Sequence, residues 1–304
     1  MDHLSSLRLF VRVVERGSFT AAAADRGLSR SSATEGIRQL EQRLSARLLD
    51  RTTRHVAPTP DGTQYYQRCL AILADLDDAE SVLRESEPHG PLRIDAPGLL
   101  TRTFILPALP GFLERYPRIE VQFGQSDRLV DLVREGVDCA IRVGTPADSD
   151  LMLRRLGTMD EVTVASPAYL ERRGIPASID ELEGHEMVGF LSSRTGEVIP
   201  LEFSVDGTLH EVRLPMRVSA NHSDTTADLA RRGFGLMQAP RYRFMAELEA
   251  GTLVEVLPDF PPSPTPLSAL FPQSRQSAPR LRVFLDLVTD VFHRAAPDLA
   301  LNPE

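Results

Sequence analysis

A long, uninterrupted helical pattern at residues 60–88 divides this sequence in two and constrains its fold more than any other feature. Thr59, Pro60 and Asp61 begin the helix with a capping hydroxyl, a first-turn proline and an acid, and Pro88 ends it. Apolar side chains recur along it at alternating steps of four and three residues: Tyr65, Cys69, Ile72, Leu76, Ala79 and Leu83. This seam of about three heptads predicts a dimerisation helix about 40 Å long that pairs with a second copy. The alternative is a helix packed on its own domain.

The segment before this helix has the pattern of three short helices. The first ends at Gly17, an alanine-rich second helix follows Ser18, and Gly27 and Ser29 make a tight break before the third. The third helix has one apolar stripe, and the polar side chains facing away from it are Arg30, Ser31, Thr34, Glu35 and Arg38. Such residues near a helix N-terminus can reach base edges in a major groove.

A basic hairpin rich in hydroxyl groups follows, with Arg51, Thr53 and Arg54 suited to phosphate contacts. Residues 1–59 therefore predict an all-α winged helix-turn-helix DNA-binding domain, with the helix-turn-helix at residues 19–38. Glu35 runs against this interpretation, since phosphates repel it unless it accepts a hydrogen bond from a cytosine amine. It could instead be the capping-box partner of Ser32. The alternative for the whole segment is an ordinary helical bundle with solvated arginines.

The charge distribution supports a nucleic-acid partner for the N-terminal segment only. Residues 1–59 hold ten arginines against six acidic residues, a net charge of +4, although the whole chain of 304 residues has a net charge of −9. A basic end on an acidic chain indicates contact with nucleic acid or a membrane surface. All the basic residues are arginine, which binds phosphate or guanine through two hydrogen bonds, although codon usage explains the absence of lysine equally well. Double-stranded DNA is the predicted partner.

Residues 89–304 alternate between strand and helix patterns, which predicts an effector-binding α/β domain with parallel sheets. Strands are predicted at 92–96, 119–124 and 137–143, and helices at 101–116 and 129–135. A second series runs from 161 to 257 and includes a hairpin at Asp206-Gly207 and a helix at 223–232. A proline-rich stretch at 258–266 returns the chain to a last strand and helix. Two crossings predict lobe I at 90–161 plus 267–296 and lobe II at 162–266, with a cleft for a small ligand between them.

The sequence gives no sign of several other classes of protein. No run approaches the ~20 apolar residues of a membrane helix, and the first residues lack the basic start of a secretory signal. Cys69 and Cys139 are too few for a disulfide framework, so we expect buried, reduced thiols in a cytoplasmic protein. The seven histidines show no metal-ligand spacing, and there is no phosphate-binding loop or nucleophile elbow. We therefore expect no metal, no cofactor and no enzyme activity, and we interpret His222 in the cleft as structural.

The N-terminal segment resembles the LysR-type transcriptional regulators. The resemblance runs through residues 9–11, 17–23, 28–29, 37–41, 51–54 and 58–62. It implies an antiparallel pairing of linker helices at 60–88 that gives a homodimer, assembled further into a homotetramer on a pseudo-palindromic operator. Arg30, Glu35 and Gly36 depart from the family pattern, which puts the operator sequence in doubt but not the DNA-binding role.

The resemblance continues nearly to the end of the chain, through residues 90–94, 112–117, 131–138, 141–144, 165–170 and 233–236. It implies an effector domain of two Rossmann-like α/β lobes with the fold of type 2 periplasmic binding proteins. By resemblance, the effector contacts are Gly98, Leu99, Leu100, Thr101, Arg102, Ser126, Arg142, Val143, Phe190 and Asn221. Physically, Thr101 and Arg102 at a helix start would offer free backbone N–H groups and a cation to an anion, whereas Leu99 and Leu100 favour an apolar or aromatic effector.

Two of these residues also have structural interpretations: Ser126 as a helix cap and Arg142 as a surface ion pair. The predicted function is a ligand-modulated, DNA-binding regulator of transcription, with RNA polymerase as a further candidate partner. One alternative is a regulator that needs no effector. The other is a cytosolic solute-binding protein with a helical N-terminal extension.

Overall fold

The computed structural model of the chain describes residues 1–51, 56–84, 87–128, 130–146 and 150–299. Its elements fall into an N-terminal helical domain, a long helix and two α/β lobes. The N-terminal domain contains three helices, α1 (His3–Arg16), α2 (Phe19–Asp25) and α3 (Arg30–Leu44), and a short antiparallel pair, β1 (Leu49–Arg51) and β2 (Val56–Pro58).

Each of the three helices begins at a polar cap that the sequence provides. The side chains of Asp2, Ser18 and Ser29 accept hydrogen bonds from the backbone N–H groups three residues later. α1 ends at Gly17, whose φ of 57° is the left-handed conformation that glycine adopts without strain. The buried residues of the domain form one core, which includes Leu9, Phe10, Val13, Ala22, Ala23, Ile37, Leu40 and Leu48.

Glycines allow two close approaches in this domain. A Cβ atom at Gly36 would lie 3.2 Å from Leu9 Cδ2, so the glycine inside α3 lets this helix pack tightly on α1. At Gly62 a Cβ atom would lie only 1.8 Å from the Leu48 carbonyl oxygen. No residue larger than glycine fits at Gly62 without moving the backbone, because the first turn of the long helix lies directly against the entry to β1.

The long helix α4 (Pro60–Arg84) packs on its own chain over much of its described length. Cys69 is fully buried in the N-terminal core, and Tyr65 packs against Phe10 with ring centroids 5.5 Å apart. The expectation that Tyr65 and Cys69 belong to an exposed pairing seam is therefore wrong. Ile72 is 49% exposed, so this seam position is open to a partner.

Farther along, α4 contacts the first lobe of the same protomer. The buried guanidinium of Arg275 lies between the two parts of the chain: its Nη1 is 3.1 Å from Asp75 Oδ1, and its Nη2 donates to the Ala71 carbonyl oxygen. Arg275 Nε lies 3.3 Å from Asp138 Oδ1, inside the lobe. These ion pairs and the hydrogen bond join α4 to the lobe that follows it.

The first lobe is built on a five-stranded mixed sheet. Its strands are β3 (Gly90–Asp95), β4 (Ile119–Gly124), β5 (Cys139–Val143), β6 (Leu151–Met159) and β14 (Thr265–Pro272), in the spatial order β4-β3-β5-β14-β6. β3 runs parallel to β4 and β5, whereas β14 runs antiparallel to both β5 and β6. The sheet packs against its helices around a core that includes Leu92, Ile94, Phe112, Ile141, Phe284 and Phe292.

Two helices of this lobe have bounds that differ from the predicted 101–116 and 129–135. They are α5 (Gly98–Leu100), a π-helical turn (Thr101–Ile105), α6 (Leu106–Arg115), α7 (Leu132–Glu135) and α11 (Pro279–Leu299). The predicted helix at 101–116 is one helical run from Gly98 to Arg115, and α7 covers only the second half of the predicted 129–135, because Asp131 caps it.

The second lobe contains smaller sheets. β7 (Glu161–Ala165) lies between β12 (Met237–Pro240) and β13 (Val254–Glu255), antiparallel to both, and β8 (Gly189–Phe190) pairs in parallel with β11 (Ser219–Ala220). The hairpin predicted at Asp206-Gly207 is present between β9 (Leu201–Val205) and β10 (Thr208–Val212). The helices are α8 (Pro167–Arg173), α9 (Ser223–Arg231) and α10 (Met245–Glu249).

Two features of the sheets differ from the sequence prediction. The sheets are mixed rather than parallel, because the chain returns from the second lobe and enters the first sheet as the antiparallel strand β14. The edge strand β6 was not predicted, since its adjacent Arg154 and Arg155 and its Gly157 interrupt any strand pattern. β6 ends at Met159 in one sheet and β7 begins at Glu161 in the other, so only Asp160 separates the lobes at this crossing.

Candidate DNA-binding surface and interlobe cleft

The first turns of α3 present polar side chains on one exposed face. Arg30, Ser31 and Arg38 are exposed and Thr34 and Glu35 are half-buried, whereas Ala33, Gly36 and Ile37 on the opposite face are buried. The structure therefore brings together the five α3 residues predicted to contact DNA. Whether they touch DNA stays a prediction.

Hydrogen bonds within α3 fix some of these side chains. The Ser31 hydroxyl lies 2.8 Å from the hydroxyl of Ser29, the cap of the helix, and the Thr34 hydroxyl donates to the Arg30 carbonyl oxygen at 2.9 Å. Among the described residues, the guanidinium of Arg30 has no hydrogen-bond or ion-pair partner. It is therefore available for a phosphate or a base.

Glu35 is held by its own helix. Arg38 Nε donates to Glu35 Oε2 at 2.7 Å, Arg38 Nη2 to Oε1 at 2.6 Å, and Gln39 Nε2 to the same Oε1 at 2.9 Å. These hydrogen bonds and the charge of Arg38 lower the pKa of Glu35 to about 2. The capping-box interpretation with Ser32 is wrong, because the cap is Ser29 and α3 begins at Arg30.

Arginines of α1 are neutralised by acids of the same domain. Arg12 donates to Asp25 at 2.6 Å and to Glu15 at 3.0 Å, and Arg16 lies 3.2 Å from Asp25. Of the predicted wing residues, Arg51 is the last residue of β1, whereas Thr53 and Arg54 lie outside the described residues. Arg12 and Arg16 are thus compensated within the domain, whereas Arg30 on α3 has no partner among the described residues.

The predicted dimerisation residues divide into three groups. Tyr65 and Cys69 belong to the N-terminal core, as described above, whereas Ile72 is exposed and Leu76 is half-buried. The side chains of Ala79 and Leu83 lie outside the described part of α4. Self-association through this helix stays a prediction.

The predicted effector segment at residues 98–102 is helical. Leu100 and Thr101 are fully buried, and the backbone N–H and hydroxyl of Thr101 both donate to the Pro97 carbonyl oxygen, at 2.9 and 3.0 Å. The expectation of free N–H groups at Thr101 is wrong, because the helix begins three residues earlier at Gly98. Gly98 and Leu99 are half-buried on the same turn.

Ser126 and Arg142 meet at one carboxylate, Asp95, inside the first lobe. Arg142 Nη2 lies 2.5 Å from Asp95 Oδ1, and the Ser126 hydroxyl donates to the same oxygen at 3.1 Å. The side chains of Arg142 and Asp95 are only 13% and 9% exposed. Both structural interpretations of the sequence are therefore wrong: Ser126 caps no helix, since Asp131 caps α7, and Arg142 forms a buried pair rather than a surface pair.

A carboxylate of the first lobe caps a helix of the second. Asp127 Oδ2 accepts hydrogen bonds from the backbone N–H and the hydroxyl of Ser223, both at 2.7 Å, at the start of α9. The residue before α9, His222, makes no capping hydrogen bond. The cap that a helix usually takes from its own sequence thus comes from the opposite lobe, which joins the two across the cleft.

An ion-pair chain crosses the cleft beside this cap. Arg102 Nη2 of the first lobe lies 3.6 Å from Asp224 Oδ2, and Arg243 Nη2 donates to Asp224 Oδ1 at 2.6 Å. Burial alone would raise the pKa of Asp224, but the hydrogen bond and charge of Arg243 and the charge of Arg102 bring it below its usual value. Arg243 is buried, so its charge depends on Asp224 for compensation.

Aromatic rings and a buried acid complete the junction between the lobes. The rings of Phe104 and Tyr242, one from each lobe, lie 5.2 Å apart, and burial raises the pKa of Tyr242 to about 12. At the crossing, burial raises the pKa of Glu161 to about 7. The charge of Glu202 adds to this rise, whereas a hydrogen bond with Thr265 and the charge of Arg243 oppose it.

The remaining predicted effector residues occupy different environments. Val143 packs against the core of the first lobe, Phe190 is half-buried in β8, and Asn221 is exposed directly after β11. Sequence reasoning missed the residues that bridge the cleft, which are Asp127, Ser223, Asp224, Tyr242 and Arg243. The start of the predicted helix at 223–232 was the sequence feature that could have drawn attention to Ser223 and Asp224. Nothing in the sequence indicated that Asp127 contacts Ser223.

Other kinds of site are not found in the described part of the chain. The described residues contain no group of three or more His, Cys, Asp or Glu side chains that could hold a metal ion. None of the described helices is both long and apolar enough to cross a membrane. Cys69 and Cys139 are free and buried, and burial raises the pKa of their thiols to about 11 and about 12.

Comparison with known proteins identifies both halves of the chain. Residues 4–63 match the family model of the bacterial regulatory helix-turn-helix proteins of the lysR family, and residues 85–293 match the LysR substrate binding domain. The HTH-type transcriptional regulator YhjC of Escherichia coli is 36% identical over 299 residues, which cover 96% of this chain and 98% of that protein.

Solved structures agree in fold over nearly the whole chain. CrgA, a LysR-type transcriptional regulator from Neisseria meningitidis, is 29% identical with a TM-score of 0.58, covering 96% of this chain and 99% of that one. The Vibrio cholerae virulence activator AphB is 28% identical with the same TM-score, covering 95% and 99%. The chain therefore belongs to the LysR family of transcriptional regulators, with an N-terminal helix-turn-helix domain and a C-terminal substrate-binding domain of mixed α/β sheets.

Proposed function

We propose that this chain is a cytoplasmic regulator without catalytic activity, which binds a pseudo-palindromic DNA operator as an oligomer and responds to a small molecule. The observation that carries the DNA-binding part is the exposed face of α3. This face presents Arg30, whose guanidinium has no partner in the described ranges, beside Ser31 and Thr34, on a helix whose other side is anchored in the core. An anchored helix with free donors can enter a major groove and contact both bases and phosphates.

Oligomerisation would place two such faces on one DNA duplex. Two recognition helices about one helical turn apart read the halves of a palindrome. Ile72, exposed on α4, supports pairing through the second half of this helix, with a homodimer as the unit and a homotetramer as the full assembly. RNA polymerase is a candidate partner of the assembled regulator.

The proposed effector site is the cleft between the lobes, where charged groups from both meet. Arg102 is exposed and holds Asp224 only at 3.6 Å, and the start of α9 is capped by a carboxylate, that of Asp127. A small molecule with an anionic group could replace this carboxylate and pair with Arg102. Its binding would change how the lobes close and, through Arg275 and Asp75, the position of α4.

A salt titration of DNA binding tests the DNA-binding part. The full chain is titrated onto a duplex from upstream of its own gene at increasing salt. We expect the affinity to fall steeply, because contacts between arginine and phosphate release counterions. Arg30→Ala should weaken binding and reduce the slope, whereas Arg118→Ala, which removes an exposed arginine of the effector domain, should change neither. Absence of binding, or binding independent of salt, would contradict the proposal.

A regulator that needs no effector is the second candidate function. The observation that favours it is that side chains of the protein itself already bridge the cleft. A thermal-shift screen with small carboxylates, followed by DNA-binding assays, separates the two. A stabilising carboxylate that also changes operator affinity supports the regulated form. A stabilising carboxylate without an effect on DNA binding favours the unregulated one.

A further inference from the structure

We propose that Glu35 and Arg38 act as one unit that reads a single G·C base pair in each half of the operator. The inference rests on the proposed DNA-binding function and deepens it, because it assigns a specificity-determining role to an acidic residue. An acid on a DNA-facing helix otherwise only weakens binding.

The geometry of the pair leaves hydrogen-bonding groups free on both partners. Arg38 uses its Nε–H and one Nη2–H on the carboxylate, at 2.7 and 2.6 Å. A guanidinium carries five N–H donors, and the other three have no partner in the described part of the chain. Glu35 Oε1 accepts from both Arg38 and Gln39, whereas Oε2, among those same residues, accepts only from Arg38. An arginine donor and a carboxylate acceptor therefore lie side by side on the helix face.

The pair is also electrically neutral and held in place. The Arg38 charge compensates that of Glu35, so the phosphates meet no net negative charge at this position. Gln39 holds the carboxylate from one turn farther along the helix. Both side chains are about half exposed, so neither is committed to the core of the domain. An exposed pair at this spacing contributes little to helix stability, and stability alone does not account for it.

A G·C pair matches this arrangement in the major groove. Guanine offers two acceptors, O6 and N7, and cytosine offers one donor, its N4 amine. Arginine donating to guanine while the adjacent carboxylate accepts from cytosine would satisfy the whole edge of the base pair. An A·T pair replaces one of the guanine acceptors with a donor, and its thymine presents a methyl group and an acceptor to the carboxylate.

The alternative is that Arg38 leaves Glu35 and binds a phosphate. Glu35 would then be a repulsive charge without a base partner, and its removal should strengthen binding to every sequence alike. The two possibilities predict opposite results for the same substitution.

The test is operator selection from a random duplex library with the full chain, followed by competition with duplexes that each carry one changed base pair. The variants are Glu35→Gln, Arg38→Lys and the two combined. Glu15→Gln, which removes one acidic charge from α1, is the matched control. We expect the unmodified chain to discriminate on the order of 10- to 100-fold at one G·C pair of each half-site.

We expect both single variants to lose discrimination at the same G·C base pair, and the combined variant to lose little more. The Glu15→Gln control should keep it. Uniformly tighter binding of Glu35→Gln, or losses at two different base pairs, would overturn the inference and leave the DNA-binding function standing. Failure of the unmodified chain to bind any duplex would overturn both.

Discussion

The α3 face and the interlobe cleft both carry arginines and acids, but they compensate these charges differently. On the exposed face of α3, Glu35 has its partners within four residues, Arg38 and Gln39, and Arg30 has no partner among the described residues. In the cleft the partners come from distant parts of the chain: Asp127 and Ser223 are 96 residues apart, and Arg102 of the first lobe pairs with Asp224 of the second. The α3 face is thus ready for a partner of opposite charge, whereas the cleft must exchange internal contacts for those of a ligand.

The stability of the N-terminal domain should be most sensitive to substitution where two backbone segments lie in close contact. Gly62→Ala should destabilise this domain by more than about 3 kcal/mol, because its Cβ would overlap the Leu48 carbonyl oxygen. Gly111→Ala is the matched control, since a Cβ atom in α6 would meet nothing within 4 Å. It should raise stability by roughly 0.5–1 kcal/mol.

Denaturant unfolding, followed separately in the N-terminal domain and in the lobes, measures the stability changes of Gly62→Ala and Gly111→Ala. Loss of DNA binding with retained folding of the lobes is the expected outcome for Gly62→Ala. An N-terminal domain as stable as that of the unmodified chain would contradict the packing described for α4.

In the first lobe, the buried Asp95 carboxylate should be the most sensitive polar group. Arg142→Ala should cost about 2–4 kcal/mol, because it leaves this carboxylate without its main partner. Arg128→Ala removes an exposed arginine paired with Glu135 and should cost less than about 1 kcal/mol. Chemical denaturation of the full chain compares the two. Equal costs would mean that the two pairs do not differ in effective burial.

The crossing between the lobes should make stability depend on pH. Glu161 has its pKa raised to about 7 from a usual value of 4.5, so the folded chain keeps a proton that the unfolded chain has lost. This contribution to stability is greatest below pH 4.5 and falls as the pH rises toward 7. Glu161 should lower the free energy of unfolding by about 1–3 kcal/mol over this pH range, and Glu161→Gln should abolish this loss.

Melting temperatures of Glu161→Gln and the unmodified chain between pH 5 and 8 measure this contribution. The two curves should converge at the acidic end and separate as the pH rises, with the variant more stable at pH 8. Parallel curves would contradict the assignment.

The cap across the cleft should have the smallest effect on stability but a distinct effect on shape. Asp127→Ala should cost about 1 kcal/mol, the usual loss for a helix cap, and should allow the lobes to open. Asp131→Ala removes a cap of α7 within one lobe and should cost a similar amount without opening. Small-angle scattering of the effector domain in the full chain distinguishes the two. Identical scattering would show that Asp127 does not hold the cleft closed.

The sequence predicts those features of the structure that depend on contacts between residues close together in the chain. The helix ends of the N-terminal domain were predictable, because Asp2, Ser18 and Ser29 cap helices within three residues of themselves. The family and fold class were predictable too, from ordered motifs along the chain, and both are confirmed. The packing of Cys69 in the N-terminal core of its own chain was not, since a heptad pattern is the same whether its apolar face meets a second copy or the same domain.

The cleft was predicted least well, because its chemistry depends on tertiary structure. Thr101 has the sequence of a helix start, but the helix begins at Gly98 and buries it. Ser126 has the sequence of a cap, but its hydroxyl reaches Asp95 on a neighbouring strand. Asp127 gives no local signal of its contact with Ser223. Tertiary structure brings these groups together, within the first lobe for Ser126 and Asp95 and between the lobes for Asp127 and Ser223.

The measurement that tests the central claim most directly is a DNA footprint of the full chain on the region upstream of its own gene. We expect two protected segments centred one helical turn apart, about 10 base pairs, or a multiple of it. Arg30→Ala should weaken both segments and Arg118→Ala neither. The absence of any protected segment, or protection that Arg30→Ala leaves unchanged, would contradict the claim that the exposed face of α3 contacts DNA.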